Sequence, residues 1–188
     1  MKRVLIIILL FCSVLAKSQS YGVIDRIGTV RVGAGYAQDF PGVSGHGLSA
    51  EVTFQLMERF EGGIGFKRLS MQGFPRTESV KEFTKANTVD FNIYYLPVVN
   101  ENSVLRVGLG YALSSYNIRR SFPVVNTGGI DKLTYPTKDE KGRTKGGSVM
   151  VEYEYFISNT NFSIGARAAW FKAYDRALYV GPFVGLSF

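Results

Sequence analysis

The sequence predicts an all-β chain that closes into an antiparallel transmembrane β-barrel of about eight strands in up-and-down order. Three observations carry this. About eight segments alternate apolar and polar side chains at period two, the spacing at which a strand shows its two faces. Beyond residue 18 no run is both long and apolar enough for a transmembrane helix, which needs about 20 residues. The polar face of the alternating segments carries glycines and charges of both signs, which suits a narrow packed interior. Only helices and closed barrels satisfy their own backbone groups in lipid, so strands that face lipid must close on themselves.

At 188 residues the chain forms one domain with a leader. Residues 1–18 read as a cleaved signal peptide and residues 19–188 as the barrel. Lys2 and Arg3 supply the basic start, residues 4–15 the apolar run, and Val14, Ala16 and Ser18 the small residues of a cleavage site. The one cysteine, Cys12, falls inside this leader, so the mature chain has no disulfide and no thiolate chemistry. Removing Lys2, Arg3 and Lys17 lowers the formal charge of +7 by three, to +4. That balance is no nucleic-acid signature, and no nucleic-acid partner is expected.

The strands follow in order. In residues 27–38, Val30, Val32, Ala34 and Tyr36 share one face, with Thr29, Arg31, Gly33 and Gly35 on the other. Residues 41–47 (P-G-V-S-G-H-G) read as a loop. Residues 48–56 set Leu48, Ala50, Val52, Phe54 and Leu56 against Ser49, Glu51, Thr53 and Gln55. A short turn over 57–61 leads to a strand over 62–70, where Arg68 interrupts the apolar face and suggests a rim or a bulge. Residues 71–85 lack a sustained period and read as a loop. Residues 87–96 set Val89, Phe91, Ile93 and Tyr95 against Asp90, Asn92 and Tyr94. Residues 104–116 alternate most cleanly, with Leu105, Val107, Leu109, Tyr111 and Leu113 opposing Arg106, Gly108 and Gly110. Residues 119–147 read as the longest irregular stretch. Residues 148–157, 162–172 and 176–188 complete the set. Short links alternate with long ones, as expected when the turns lie on one side of a membrane and the loops on the other.

Alternation alone does not say which face is wet. Gly33, Gly35, Gly63, Gly65, Gly108, Gly110, Gly165, Gly181 and Gly185 all fall on the polar face. Glycine weakens a solvated strand without return, whereas a narrow lumen needs small residues. On the same face Arg31, Lys67, Arg106 and Arg167 match Glu51, Asp90, Glu152 and Glu154 in number. Buried charges must be paired. With Gln55, Asn92 and Tyr179 they predict a continuous polar network that fills the lumen. Tyrosines and Trp170 near strand ends suit an interfacial belt.

The last segment, 176–188, puts Leu178, Val180, Pro182, Val184, Leu186 and Phe188 on one face and ends on an aromatic residue. It resembles the C-terminal strand of bacterial outer-membrane β-barrels, with Phe183 where glycine is common and with Pro182 as departures. Taken with the leader and the alternation, the mature chain resembles the small OmpX/OmpW-like group. The resemblance implies location in the bacterial outer membrane and contact with its lipid. It implies that the barrel-assembly machinery reads the terminal strand, here through Leu186 and Phe188. It also implies a structural or surface-interaction role and no enzymatic reaction. A membrane-embedded lipid-modifying enzyme, a small-solute channel and a secreted soluble barrel for a hydrophobic ligand are the alternatives. Pro182 cannot donate to a ladder, so a bulge or a lost bond is expected there.

Little in the sequence carries chemistry. His46 is the only histidine and has no matched acid, so no catalytic residue is assigned. No second histidine and no cysteine accompany it, so no metal site or cofactor is expected. G-A-G-Y (33–36) and G-L-G-Y (108–111) lie within strands and are not nucleotide loops. Arg119, Arg120 and the run K-D-E-K-G-R-T-K (138–145) make the stretch 119–147 basic, a candidate contact for lipopolysaccharide phosphates or an acidic protein partner.

Overall fold

The computed structural model describes residues 26–40, 42–73, 81–122, 124–126, 132–134, 136–172 and 175–188. The leader and Cys12 lie outside the described residues. Ten strands are present: β1 (Gly28–Asp39), β2 (Ser44–Met57), β3 (Phe60–Gly73), β4 (Glu82–Val99), β5 (Ser103–Ser121), β6 (Val124–Asn126), β7 (Lys132–Thr134), β8 (Thr137–Phe156), β9 (Phe162–Lys172) and β10 (Arg176–Ser187). Eight of them close a ring in the order β1-β10-β9-β8-β5-β4-β3-β2, and β6 and β7 pair separately. Every neighbouring pair is antiparallel. The chain is therefore an up-and-down barrel of eight strands. Among the described residues no helix is long and apolar enough to cross a membrane.

The faces are inside-out relative to a water-soluble barrel. Val32, Leu48, Ile64, Ile93, Leu109, Ile164 and Val184 point outward and are each more than half exposed, whereas Arg31, Lys67, Arg106 and Glu152 point inward and are buried. An apolar belt of this extent on the outside is stable against lipid and not against water. Phe54, Phe60, Tyr95, Tyr155 and Phe162 are exposed near one end of the wall, and Tyr36, Phe40 and Trp170 near the other, where amphipathic rings suit the interface.

The wall is uneven, and three sequence expectations are corrected. The links β2–β3, β4–β5 and β8–β9 are short, so they mark a turn end. At the opposite, loop end the β1–β2 link is also short. The strand begins at Ser44, so His46 lies in β2 and not in a loop. Asp39 closes this turn: its carboxylate accepts from Val43 N at 2.9 Å, and its carbonyl accepts from Gly42 N at 2.7 Å. Gly42 sits at φ 109°, a conformation that costs other residues dearly. The stretch 119–147, expected to be irregular, is largely strand. β5 and β8 pair without interruption up to Ser121↔Thr137. β3 and β4 likewise pair to Gly73↔Glu82, inside the expected loop 71–85. The four strands β3, β4, β5 and β8 thus rise beyond β9, β10, β1 and β2. Above Ser148↔Phe171 β8 has no ladder to β9, so its upper edge stands unpaired among the described residues.

The seam between β1 and β10 keeps register past Pro182. Pairing runs from Thr29↔Ser187 to Gly33↔Phe183 and resumes at Tyr36↔Val180, with Ala34 and Gly35 outside the ladder. This is the lost pairing that proline demands, without a bulge. The strands approach closely here: a Cβ on Gly35 would lie 2.2 Å from the Val180 carbonyl oxygen. The register shifts instead near the turn end, between Gln55 and Met57 on β2 and between Tyr95 and Val98 on β4. Arg68, where a rim or a bulge was expected, pairs in register with Leu48 and Asn87 without a bulge and is exposed.

Candidate functional site

The interior divides into three layers. Nearest the turn end is an ion cluster built by alternation, which turns every second residue of each strand inward. Arg106 on β5 grips Glu61 on β3 with two bonds, Nε to Oε2 at 2.8 Å and Nη2 to Oε1 at 3.0 Å. Its Nη1 donates to Glu154 Oε2 on β8 at 2.5 Å. Arg31 on β1 donates to the same oxygen through Nε at 3.1 Å. The remaining Arg31 nitrogens lie 3.6 Å from Glu51, 3.6 Å from Glu152 and 3.5 Å from Glu61. Arg167 on β9 joins Glu51 and, through Nε at 2.5 Å, Glu152. Tyr94 donates to Glu51 Oε1 at 2.5 Å and lies 3.1 Å from Glu152. Toward the middle, Lys67 pairs with Asp90 at 2.6 Å, and Asn92 Nδ2 donates to Asp90 at 2.5 Å and to Glu51 at 3.1 Å. Buried charge on this scale is stable only when each group is surrounded by opposite partners, as these are.

A second, apolar layer follows. Leu69, Met71, Ala86, Ala37, Ala169, Phe171, Ala177 and the Tyr179 ring are packed together and buried. Tyr179 belongs here: only its hydroxyl is polar, 3.1 Å from Ser49 Oγ. Thr88 and Ser114, both buried, stand at the same level with their hydroxyls 2.8 Å apart. Gln55 sits half-buried at the turn end beside the β2 bulge, with its backbone N–H donating to Ile27.

The third layer lies at the loop end. Arg120 on β5 donates to Asp39 Oδ2 at 2.5 Å and to Thr84 Oγ1 at 2.8 Å. Thr84 in turn donates to Asp39 at 2.6 Å, and Glu82 accepts from Ser121 N and Oγ. Glu82 and Asp175 lie 3.8 and 4.0 Å from Arg120. Sequence reading missed this cluster because Glu82 and Arg120 fell in the expected irregular stretches 71–85 and 119–147 and Asp39 just past the expected strand 27–38. Continuing the inward alternation of β4 and β5 by two or three pairs would have found it. Glu61, read as a turn residue, was missed in the first layer for the same reason.

His46 is exposed on the outward face, whereas Ser49 on the same strand is buried against Tyr179. The described residues contain no cluster of His, Cys, Asp and Glu suited to a metal ion. Leu186 pairs with Val30 and Phe162. The Phe188 carbonyl accepts from Ile27 N and Gly28 N, its N–H donates to Gly28 O, and its ring meets Phe54 edge-on at 6.1 Å. The last residue therefore completes the closure of β10 onto β1.

This architecture matches solved structures. The chain aligns with neisserial surface protein A over 86% of its own length and 97% of that chain, at 12% identity and a TM-score of 0.56. It aligns with the N-terminal β-barrel domain of Pseudomonas aeruginosa OprF over 87% and 98%, at 12% identity and a TM-score of 0.51. The fold is that of the small eight-stranded outer-membrane β-barrels. No protein-family model and no curated protein matches the sequence. At such identity the likeness concerns the fold, and function rests on the residues of this chain.

Proposed function

We propose that this chain is an integral protein of the bacterial outer membrane whose lumen is sealed by its own side chains and whose role is structural and interactive at the cell surface. One observation carries the sealed reading. β1 and β5 are fourth neighbours in a ring of eight, hence opposite walls. Arg31 from one and Arg106 from the other meet on a single oxygen of Glu154. Side chains bridge the full width, as expected of a barrel of this strand number. Surface interaction is supported by the raised sheet of β3, β4, β5 and β8, which carries the basic stretch 119–147 beyond the lipid belt. In this orientation the loop end faces outward, and the leader is removed near Ala16–Ser20.

Planar-bilayer recording of purified protein tests the seal. The expected result is no stable single-channel step. Large stable steps would overturn the reading in favour of a small-solute channel. N-terminal sequencing of protein fractionated with the outer membrane tests the address. An intact Met1, or a freely soluble chain, contradicts it.

A further inference from the structure

The uneven wall leaves a notch where β8 outgrows β9. A cavity of about 630 Å³ opens there, lined by Tyr116, Arg143, Thr144, Lys172, Asp175 and Arg176. Three of these are cations, and Asp175 is the only anion. Asp175 lies 4.0 Å from Arg120 of the lumen cluster, and nearby Glu140 accepts from the Tyr116 hydroxyl at 3.1 Å. Among the described residues no carboxylate forms an ion pair with Arg143, Lys172 or Arg176. Such a concentration of unneutralised positive charge is unfavourable unless a counter-charge arrives. All three side chains are exposed on the outward parity of their strands. They flank the upper edge of β8, whose backbone groups lack a β9 partner there. The level is also defined. Arg176 pairs across the ladder with Lys172, and its guanidinium lies 5.7 Å above the ring of Trp170, which is exposed toward lipid. A tryptophan in that position marks the membrane–water interface, so the cations stand at headgroup height.

We infer that the notch between the β8 edge and the facing ends of β9 and β10 binds phosphate groups of an anionic outer-leaflet lipid, with Arg143, Lys172 and Arg176 as ligands. Arginine offers a planar fork to phosphate oxygens and lysine a point charge. Thr144 adds a hydroxyl donor and the β8 edge adds N–H groups. The volume exceeds that of a single phosphate and accommodates a phosphorylated sugar headgroup. This site gives the surface-contact reading a ligand and rests on the orientation stated there.

The test uses the full-length mature protein in detergent and native mass spectrometry. The probes are lipid A carrying both phosphates, the same lipid dephosphorylated, and inorganic phosphate as competitor. Retention of the phosphorylated lipid alone is expected. The variant Arg143→Gln/Lys172→Gln/Arg176→Gln should bind it about tenfold more weakly or worse. A control of equal charge change, Arg68→Gln/Lys81→Gln/Lys85→Gln, should bind as the wild type does. Equal weakening in the control, or equal binding of the dephosphorylated lipid, overturns the site. Competition by micromolar inorganic phosphate overturns the lipid source, whereas competition only at millimolar levels supports it. Heat-modifiable migration is read on the same samples. Its absence speaks against the barrel in the membrane, whereas a folded, heat-modifiable protein that ignores the lipid speaks against this site alone.

Discussion

Replacing Arg167 by Met should destabilise the barrel more than any change to an exposed charge. Arg167 is buried and stands between Glu51 and Glu152, which are themselves buried. Methionine fills most of the volume and removes the charge. Glu51 and Glu152 then face one another, with Arg31 as the nearest remaining cation, 3.6 Å from each and already shared with Glu61 and Glu154. Breaking a buried pair this way costs about 3–5 kcal/mol, mostly from the carboxylates left without compensation. Arg119 offers the contrast. It also makes a two-bond pair, with Asp139 at 2.7 and 2.8 Å, but those side chains are 42% and 53% exposed. Arg119→Met should cost little, because solvent screens an exposed pair. Urea unfolding in phospholipid vesicles measures both, with the fluorescence of Trp170, the only tryptophan, as the probe. A second variant separates charge from packing. Arg167→Met/Glu152→Gln removes one stranded carboxylate and should recover a large part of the loss. If Arg167→Met is no more destabilising than Arg119→Met, the lumen is wet enough to screen its charges and the reasoning fails.

Two further predictions follow from the barrel's margins. Phe188→Asp should lower the yield of folded, heat-modifiable protein, because Phe188 fastens β10 to the start of β1 and packs on Phe54; normal yield would show that the closing contacts are dispensable. The hydrogen bonds from Arg119 hold the Asp139 carboxyl below its ordinary range. A depressed folded-state pKa stabilises above the ordinary carboxylate value and is lost as pH falls through the lowered one. An NMR titration should find Asp139 protonating late in acid, and Arg119→Gln should return it to the usual range; an unmoved midpoint would count against the pair.

The lipid-facing part of the fold was legible residue by residue, because lipid on one side and a packed lumen on the other enforce strict alternation. Val89, Phe91 and Ile93 against Asp90 and Asn92 show it within five residues. The signal vanished where lipid ends. In β8 from Thr137 to Gly147 both faces are polar, so K-D-E-K-G-R-T-K carried no contrast and read as irregular although it pairs throughout with β5. Its strand character shows only in cross-strand partners such as Asp139 opposite Arg119, which no single segment reveals. The interior was legible where charge met glycine, and not where apolar residues turned inward. Leu69, Met71 and Phe171 have the side chains of a lipid face at lumen positions. Parity places them inside, and composition does not.

That apolar layer changes how the barrel is closed. A single continuous polar network would offer a chain of hydrogen-bonding groups along which water could thread. Here the ion cluster around Arg31 and Arg106 is separated from the Arg120 cluster by Leu69, Met71, Phe171 and the Tyr179 ring. The upper cluster also joins opposite walls. Asp39 is the last residue of β1 and Arg120 lies near the top of β5, and their contact at 2.5 Å draws the raised half of the wall over the low half. Two polar locks with an apolar layer between them leave no one side chain in the position of a gate. Loss of Arg120 removes the cation beside Asp39, which keeps its bonds from Val43 N and Thr84, and leaves the central cluster intact; loss of Arg106 weakens the central cluster and leaves the upper one. On the sealed reading, either cluster can be weakened at a cost in folding energy while the side chains of the other still fill the lumen.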